Sequence, residues 1–208
     1  MKIFLATLVL SLPILHDGDW ELKKDKNSIK VFTKHVEGSK LKAIRAISVI
    51  DAPMNTCVAV LRDIDHLNEL FPDCDKATKV EQSCCHQIHY LELDAPWPVT
   101  DRDGAYKLDY EYDAQEDAVL VNAKTVPDRY PVQEKYIRLT KGTGSWKFKR
   151  ISEKQTEVHY FYHGDPGGNI PEWLANSVVE ESPYKMFLNL QELVKLDRYQ
   201  GQEFDFIQ

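Results

Sequence analysis

A succession of short strand-like runs closed by one long helical stretch constrains this fold more than any single motif does. The runs are rich in β-branched and aromatic residues and fall at 29–36, 41–50, 76–82, 87–93, 106–112, 119–124, 136–139, 145–151 and 157–163. One helical segment interrupts them early. Pro53 suits a first helical turn, Val58, Leu61 and Ile64 follow at three-residue steps, and Phe71-Pro72-Asp73 ends it. Strands in sequence followed by one closing helix predict an α+β domain with an antiparallel sheet, not the strand-helix alternation of a parallel one. With 208 residues, 43% of them hydrophobic, the chain is long enough for one domain with an enclosed core. Lys23-Lys24-Asp25-Lys26, the densest cationic run, reads as a solvated turn.

The closing helix is expected over residues 171–199. Pro171 fits its first turn and Glu172 complements the positive end of its dipole. Leu174, Val178, Met186, Leu190 and Val194 form an i, i+4 series that skips Ser182, an apolar stripe that must face something. For an ordinary helix that something is a filled core. Pro183 removes a hydrogen bond and crowds the carbonyl of Val179, so a kink or loosened turn is expected there.

Two loops stand out from the strand pattern. In Ala95-Pro96-Trp97-Pro98-Val99-Thr100-Asp101-Arg102-Asp103 the prolines fix φ and remove two donors, so the chain leaves its sheet as a stiff loop and re-enters it near Arg102. The second, Gly164-Asp165-Pro166-Gly167-Gly168-Asn169-Ile170-Pro171, runs on through Glu172-Trp173-Leu174-Ala175-Asn176 into the closing helix. With Arg138 in Tyr136-Ile137-Arg138-Leu139, these stretches resemble the START family, the StAR-related lipid-transfer domains, whose PWPxxxRD and DxxGxxPxxxxN signatures they match in order.

The resemblance covers residues 20–194 and implies a helix-grip fold, a curved antiparallel sheet wrapped around the closing helix with a hydrophobic cavity inside. It implies a lipid-binding or lipid-transfer protein whose ligand is a sterol, phospholipid or fatty acid, and transient membrane contact as the helix or the Pro-Trp-Pro loop moves aside. Val178, Met186, Leu190 and Val194 then line the tunnel, Trp97 stands at its mouth, and Arg102 and Arg138 are its candidate polar contacts. A guanidinium in such a tunnel stays charged, so Arg102 must bind a ligand oxygen or pair with an acid. The earlier strand that carries this acid in sterol-handling members reads Lys76-Ala77-Thr78-Lys79 here, which leaves Glu81, Glu92 or the neighbouring Asp103 as partner.

Other chemistries find little support. The formal charge of -7 disfavours a nucleic-acid partner. Gly142-Thr143-Gly144-Ser145 is no nucleophile elbow, because the serine follows the second glycine. His86 and His89 fall on opposite faces of a strand, which spoils shared metal ligation, whereas His159 and His163 share one. Asp101 and Asp103 share a face without a phosphate loop nearby. No metal or cofactor is expected. Cys57, Cys74, Cys84 and Cys85 allow three pairings or none, and adjacent Cys84 and Cys85 would point to opposite faces on a strand. A cavity enzyme of cyclase or hydrolase type and a ligand-free interaction module remain the alternatives.

The amino terminus reads separately. Lys2 precedes an apolar run from Ile3 to Leu15, the length of a signal-peptide core and too short to span a bilayer. Residues 1–15 are therefore expected to direct export and residues 16–208 to form the domain. If the segment is not cleaved, the chain is expected in the cytoplasm.

Overall fold

The computed structural model describes residues 19–207 except 40, 169 and 171, and for residues 172–179 the backbone alone. The expected leader lies outside these residues. Among the described residues ten strands form a single curved, open sheet: β1 (Glu21–Lys26), β2 (Ile29–Lys34), β3 (Ala43–Ile50), β4 (Cys74–Gln82), β5 (His86–Leu93), β6 (Arg102–Asp113), β7 (Ala118–Thr125), β8 (Ile137–Arg138), β9 (Gly142–Ser152) and β10 (Gln155–Gly164). Their spatial order is β1-β2-β3-β10-β9-β7-β6-β5-β4, every neighbour antiparallel, while two-residue β8 lies parallel to the start of β6. Helices α1 (Met54–Arg62) and α2 (Leu67–Leu70) bridge β3 to β4, and α3 (Glu172–Leu193) closes the chain.

Local chemistry accounts for much of this. β1 and β2 meet at Asn27-Ser28, both at positive φ, the two-residue turn whose twist matches a hairpin. β1 contains the lysine run read above as a turn. It is the exposed edge of the sheet, where charge discourages pairing with another chain, so strand formation and a solvated surface coexist there. α1 starts after Pro53 and buries Met54, Cys57, Val58 and Leu61, and Ile64 joins the same core.

α3 ends earlier than residue 199. Lys195 and Leu196 donate to carbonyls three residues back, Glu192 and Leu193, which tightens the last turn and stops the α-helix at Leu193. The backbone stays helical on both sides of Pro183, so the proline is absorbed without ending the helix. Along α3 the packing partner changes. Its carboxy-terminal half meets α2, where Asn189 donates to the Leu70 carbonyl at 3.2 Å, and Leu190, Leu193 and Val194 join one core with Val58, Leu61 and Leu67.

Candidate functional site: an apolar cavity under the last helix

Strand alternation assigns the side chains of β5 and β6. On β6, Arg102, Tyr106 and Leu108 face the hollow side of the sheet, as do His89, Leu91 and Leu93 on β5, while Asp103 and Tyr90 face outward. On the hollow side a cavity of about 300 Å³ lies between the sheet, the middle of α3 and the two loops singled out in the sequence. Leu91, Leu108 and Trp146 belong to its apolar wall; Pro96 and Val99 of one loop and Pro166 and Ile170 of the other stand at its edge; α3 contributes Ser182, Pro183 and Met186.

Beside Asp73, Asp94, Arg102, Lys124 and Asp165, its lining carries one imidazole and three phenols that burial keeps uncharged. His89 is 3% exposed, and burial pushes its pKa down to about 4, so the ring is neutral at physiological pH. Its Nδ1 lies 3.3 Å from the Gln87 amide nitrogen and accepts from it, which puts the ring proton on Nε2. The Tyr106 ring lies tilted beside it, centroids 6.0 Å apart, and its hydroxyl interacts with that of Tyr162. Burial raises the pKa of Tyr106, Tyr160 and Tyr162, so all three stay as phenols. Glycine makes room for this cluster: a Cβ on Gly164 would stand 2.5 Å from the Tyr162 hydroxyl, and one on Gly142 2.8 Å from it.

Arg102, 6% exposed, has no carboxylate partner among the described residues. Its Nε donates to the Pro166 carbonyl at 3.2 Å, Nη2 to Gly167 at 3.3 Å, and Nη1 to Thr100. The guanidinium thus ties the two loops together at the cavity edge. Desolvation lowers its pKa, with Asp101 opposing. The expected acids are committed elsewhere. Glu81 pairs with His86 and Arg129, Glu92 with Tyr136, Lys76 and Lys135. Asp103 points to the other face of the sheet, as any residue next to Arg102 on a strand must.

There Asp103 meets Arg138. The pair is bidentate, Nε to Oδ1 at 2.8 Å and Nη2 to Oδ2 at 2.7 Å, with Tyr90 donating to the same carboxylate and Tyr130 stacked on Tyr90 at 3.7 Å. Remaining guanidinium protons go to the carbonyls of Pro127, Tyr130 and Pro131. Arg138 is therefore not a cavity residue: it pins the segment between β7 and β8 onto the outside of the sheet.

Of the residues expected to line the cavity, Met186 and Arg102 do so. Leu190 and Val194 do not: they lie about 6 and 12 Å further along the helix axis, where α3 has passed beyond the cavity and packs into filled core. Trp97 is 91% exposed and points away from the interior. The side chain of Val178 lies outside the described residues. The sequence pattern singles out His89 only as a rejected metal ligand and does not single out the tyrosines. The signal available for two of them was the aromatic alternation of β10, where Tyr160 and Tyr162 fall on one face.

His159 and His163 do share the outer face, where His159 meets Glu157 at 2.7 Å and His163 meets Ser39 at 3.1 Å. No group of three or more His, Cys, Asp or Glu is placed to hold a metal ion among the described residues. No helix of these residues is long and apolar enough to cross a membrane.

A curved open sheet gripping a carboxy-terminal helix defines a protein of helix-grip architecture. More narrowly, the chain matches the START domain over residues 5–199 and belongs to that family. An uncharacterised Pseudomonas aeruginosa protein is 35% identical over 165 residues, 79% of this chain and 81% of that one. A mouse phosphatidylcholine transfer protein is 23% identical over 82% of this chain and 81% of its own. Among solved structures, a fragment of a STAR-related lipid transfer protein from Xanthomonas axonopodis superposes with a TM-score of 0.80 at 34% identity, covering 86% of this chain and 99% of the fragment.

Proposed function

We propose that this protein carries a single hydrophobic molecule, a lipid with an uncharged oxygen-bearing end, in the cavity under α3. The observation that carries the reading is an apolar hollow whose innermost polar groups are a neutral imidazole and three phenols. Burying about 300 Å² of ligand surface contributes about 7 kcal/mol of gross affinity, and hydrogen bonds to a hydroxyl or carbonyl orient the bound molecule. An anionic head is disfavoured, since Arg102 already bonds three carbonyls and Asp73, Asp94 and Asp165 outnumber the one other lining cation, the exposed Lys124. The hollow of about 300 Å³ opens to solvent, so a ligand larger than it is accommodated only as α3 or the two loops shift.

Catalysis is the weaker reading. A general base works best with a pKa near the operating pH, and burial has pushed His89 and the tyrosines away from it in opposite directions. Exposed Trp97 on the cavity-edge loop supports transient contact with a bilayer, because indole favours the membrane interface.

The test is equilibrium uptake of four fluorescent probes: a sterol, a long-chain alcohol, the matching fatty acid and a phosphatidylcholine. The sterol or the alcohol should bind at or below about 1 µM, near -8 kcal/mol, with the fatty acid at least about tenfold weaker. Tight binding of the fatty acid or phosphatidylcholine in preference would overturn the neutral-ligand reading; no uptake of any probe would overturn the carrier reading itself.

A further inference from the structure

The turn between β4 and β5 holds a pair of thiols that the cavity does not use. Cys84 is exposed, Cys85 is half-buried, and their Sγ atoms lie 2.8 Å apart. The opposite-face expectation fails because both residues sit in the turn, outside either strand, where adjacent side chains are free to converge. The other two cysteines behave differently. Cys57 and Cys74 are buried, and desolvation pushes both thiols up to about 12, so they stay protonated and shielded. A cation also sits under the turn: Arg62 donates through Nη2 to the Ser83 carbonyl at 2.7 Å and lies against the rings of Tyr110, Phe204 and Phe206. The Cys85 thiol is raised, first by its hydrogen bond to Cys84, with Arg62 acting in the opposite direction.

We propose that Cys84 and Cys85 form a reversible dithiol site, which a low-molecular-weight disulfide closes to a bond between adjacent residues and which also takes soft thiophilic ligands such as trivalent arsenicals. In the closing step one thiolate attacks the small disulfide and expels one thiol; the second cysteine, losing its proton, attacks the mixed disulfide and expels the other. The protein loses two hydrogens and two electrons, and the small disulfide is reduced to two thiols. Closure moves the sulfurs by less than about 1 Å, from 2.8 Å to a bond length of about 2.05 Å. Neighbouring Cα atoms about 3.8 Å apart are closer than most disulfides span, so the ring opens readily to a reductant. The site is independent of the lipid reading.

The full-length protein is treated with glutathione disulfide, alkylated under denaturing conditions and digested with trypsin, which releases residues 80–102 as one peptide carrying both sulfurs. That peptide should appear unalkylated and about 2 Da lighter than its dithiol form, with Cys57 and Cys74 alkylated. A reductant should restore it. Phenylarsine oxide should add to the same peptide with release of one water. Cys84→Ser should instead carry one glutathione on Cys85 and lose the arsenical. Two glutathiones on separate sulfurs, an intermolecular dimer as the main product, or oxidation of Cys57 or Cys74 first would each overturn the proposal.

Discussion

Two tryptophan substitutions on one helix stripe, Met186→Trp and Leu190→Trp, should have opposite effects. Leu190 is 1% exposed and belongs to the core shared by α1, α2 and α3, and it is not among the residues that line the hollow. An indole there overpacks the core and should cost about 1–3 kcal/mol. At about 2–4 °C per kcal/mol for a chain of this size, the melting temperature should fall by about 2–12 °C. Ligand uptake by the folded fraction should be unchanged. Met186 is 2% exposed but faces the cavity. Its replacement by tryptophan fills empty space, so the melting temperature should hold or rise while uptake of the fluorescent sterol or alcohol falls at least about tenfold. Thermal unfolding and fluorescence titration on the two variants make the comparison. Lost binding in Leu190→Trp with unchanged stability, or a large fall in stability with normal binding in Met186→Trp, would refute the boundary drawn between core and cavity.

Asp103→Asn should destabilise the protein by about 3 kcal/mol in denaturant titration by leaving the buried Arg138 charge without its carboxylate, with ligand uptake preserved; loss of uptake at full stability would put Arg138 back in the site. His89 makes stability depend on pH. Its folded pKa, about 4, lies below the ordinary 6.5, so its contribution is complete above pH 6.5 and is lost as pH falls toward 4, by up to about 3 kcal/mol. His89→Phe should flatten that part of the stability profile, and an identical slope in both proteins would contradict the neutral assignment. Trp97→Ala should leave melting unchanged, since the ring is 91% exposed, but slow ligand transfer between zwitterionic vesicles several-fold; unaltered transfer would remove the loop from the membrane step.

The sheet and its closing helix were legible because each rests on local pattern. Alternation placed the strands, Pro53 marked the start of α1, and the Pro-Trp-Pro loop announced re-entry at Arg102, where β6 begins; the first-turn role expected of Pro171 lies outside the described residues. What failed depended on three-dimensional partners. The lysine-rich run of β1 is a strand only because β2 pairs with it. The i, i+4 stripe of α3 marked Met186, Leu190 and Val194 as one face, yet periodicity says nothing of where along the axis a cavity stops. Arg102 and Arg138 looked equivalent as candidate polar contacts of the tunnel. The pleat separates them, one tying loops at the cavity edge and the other clamped to Asp103 outside. Cys84 and Cys85 converge because a turn, unlike a strand, does not force neighbours apart.

The central claim is that the hollow under α3 exists to hold one uncharged lipid. Native mass spectrometry of the freshly purified full chain, with solvent extraction of whatever dissociates, addresses it directly. A one-to-one complex whose released ligand is a neutral molecule bearing a hydroxyl or carbonyl, absent from Met186→Trp, is the expected result. Bare protein that also stays bare after incubation with sterols and long-chain alcohols, or a bound diacyl phospholipid, would contradict it.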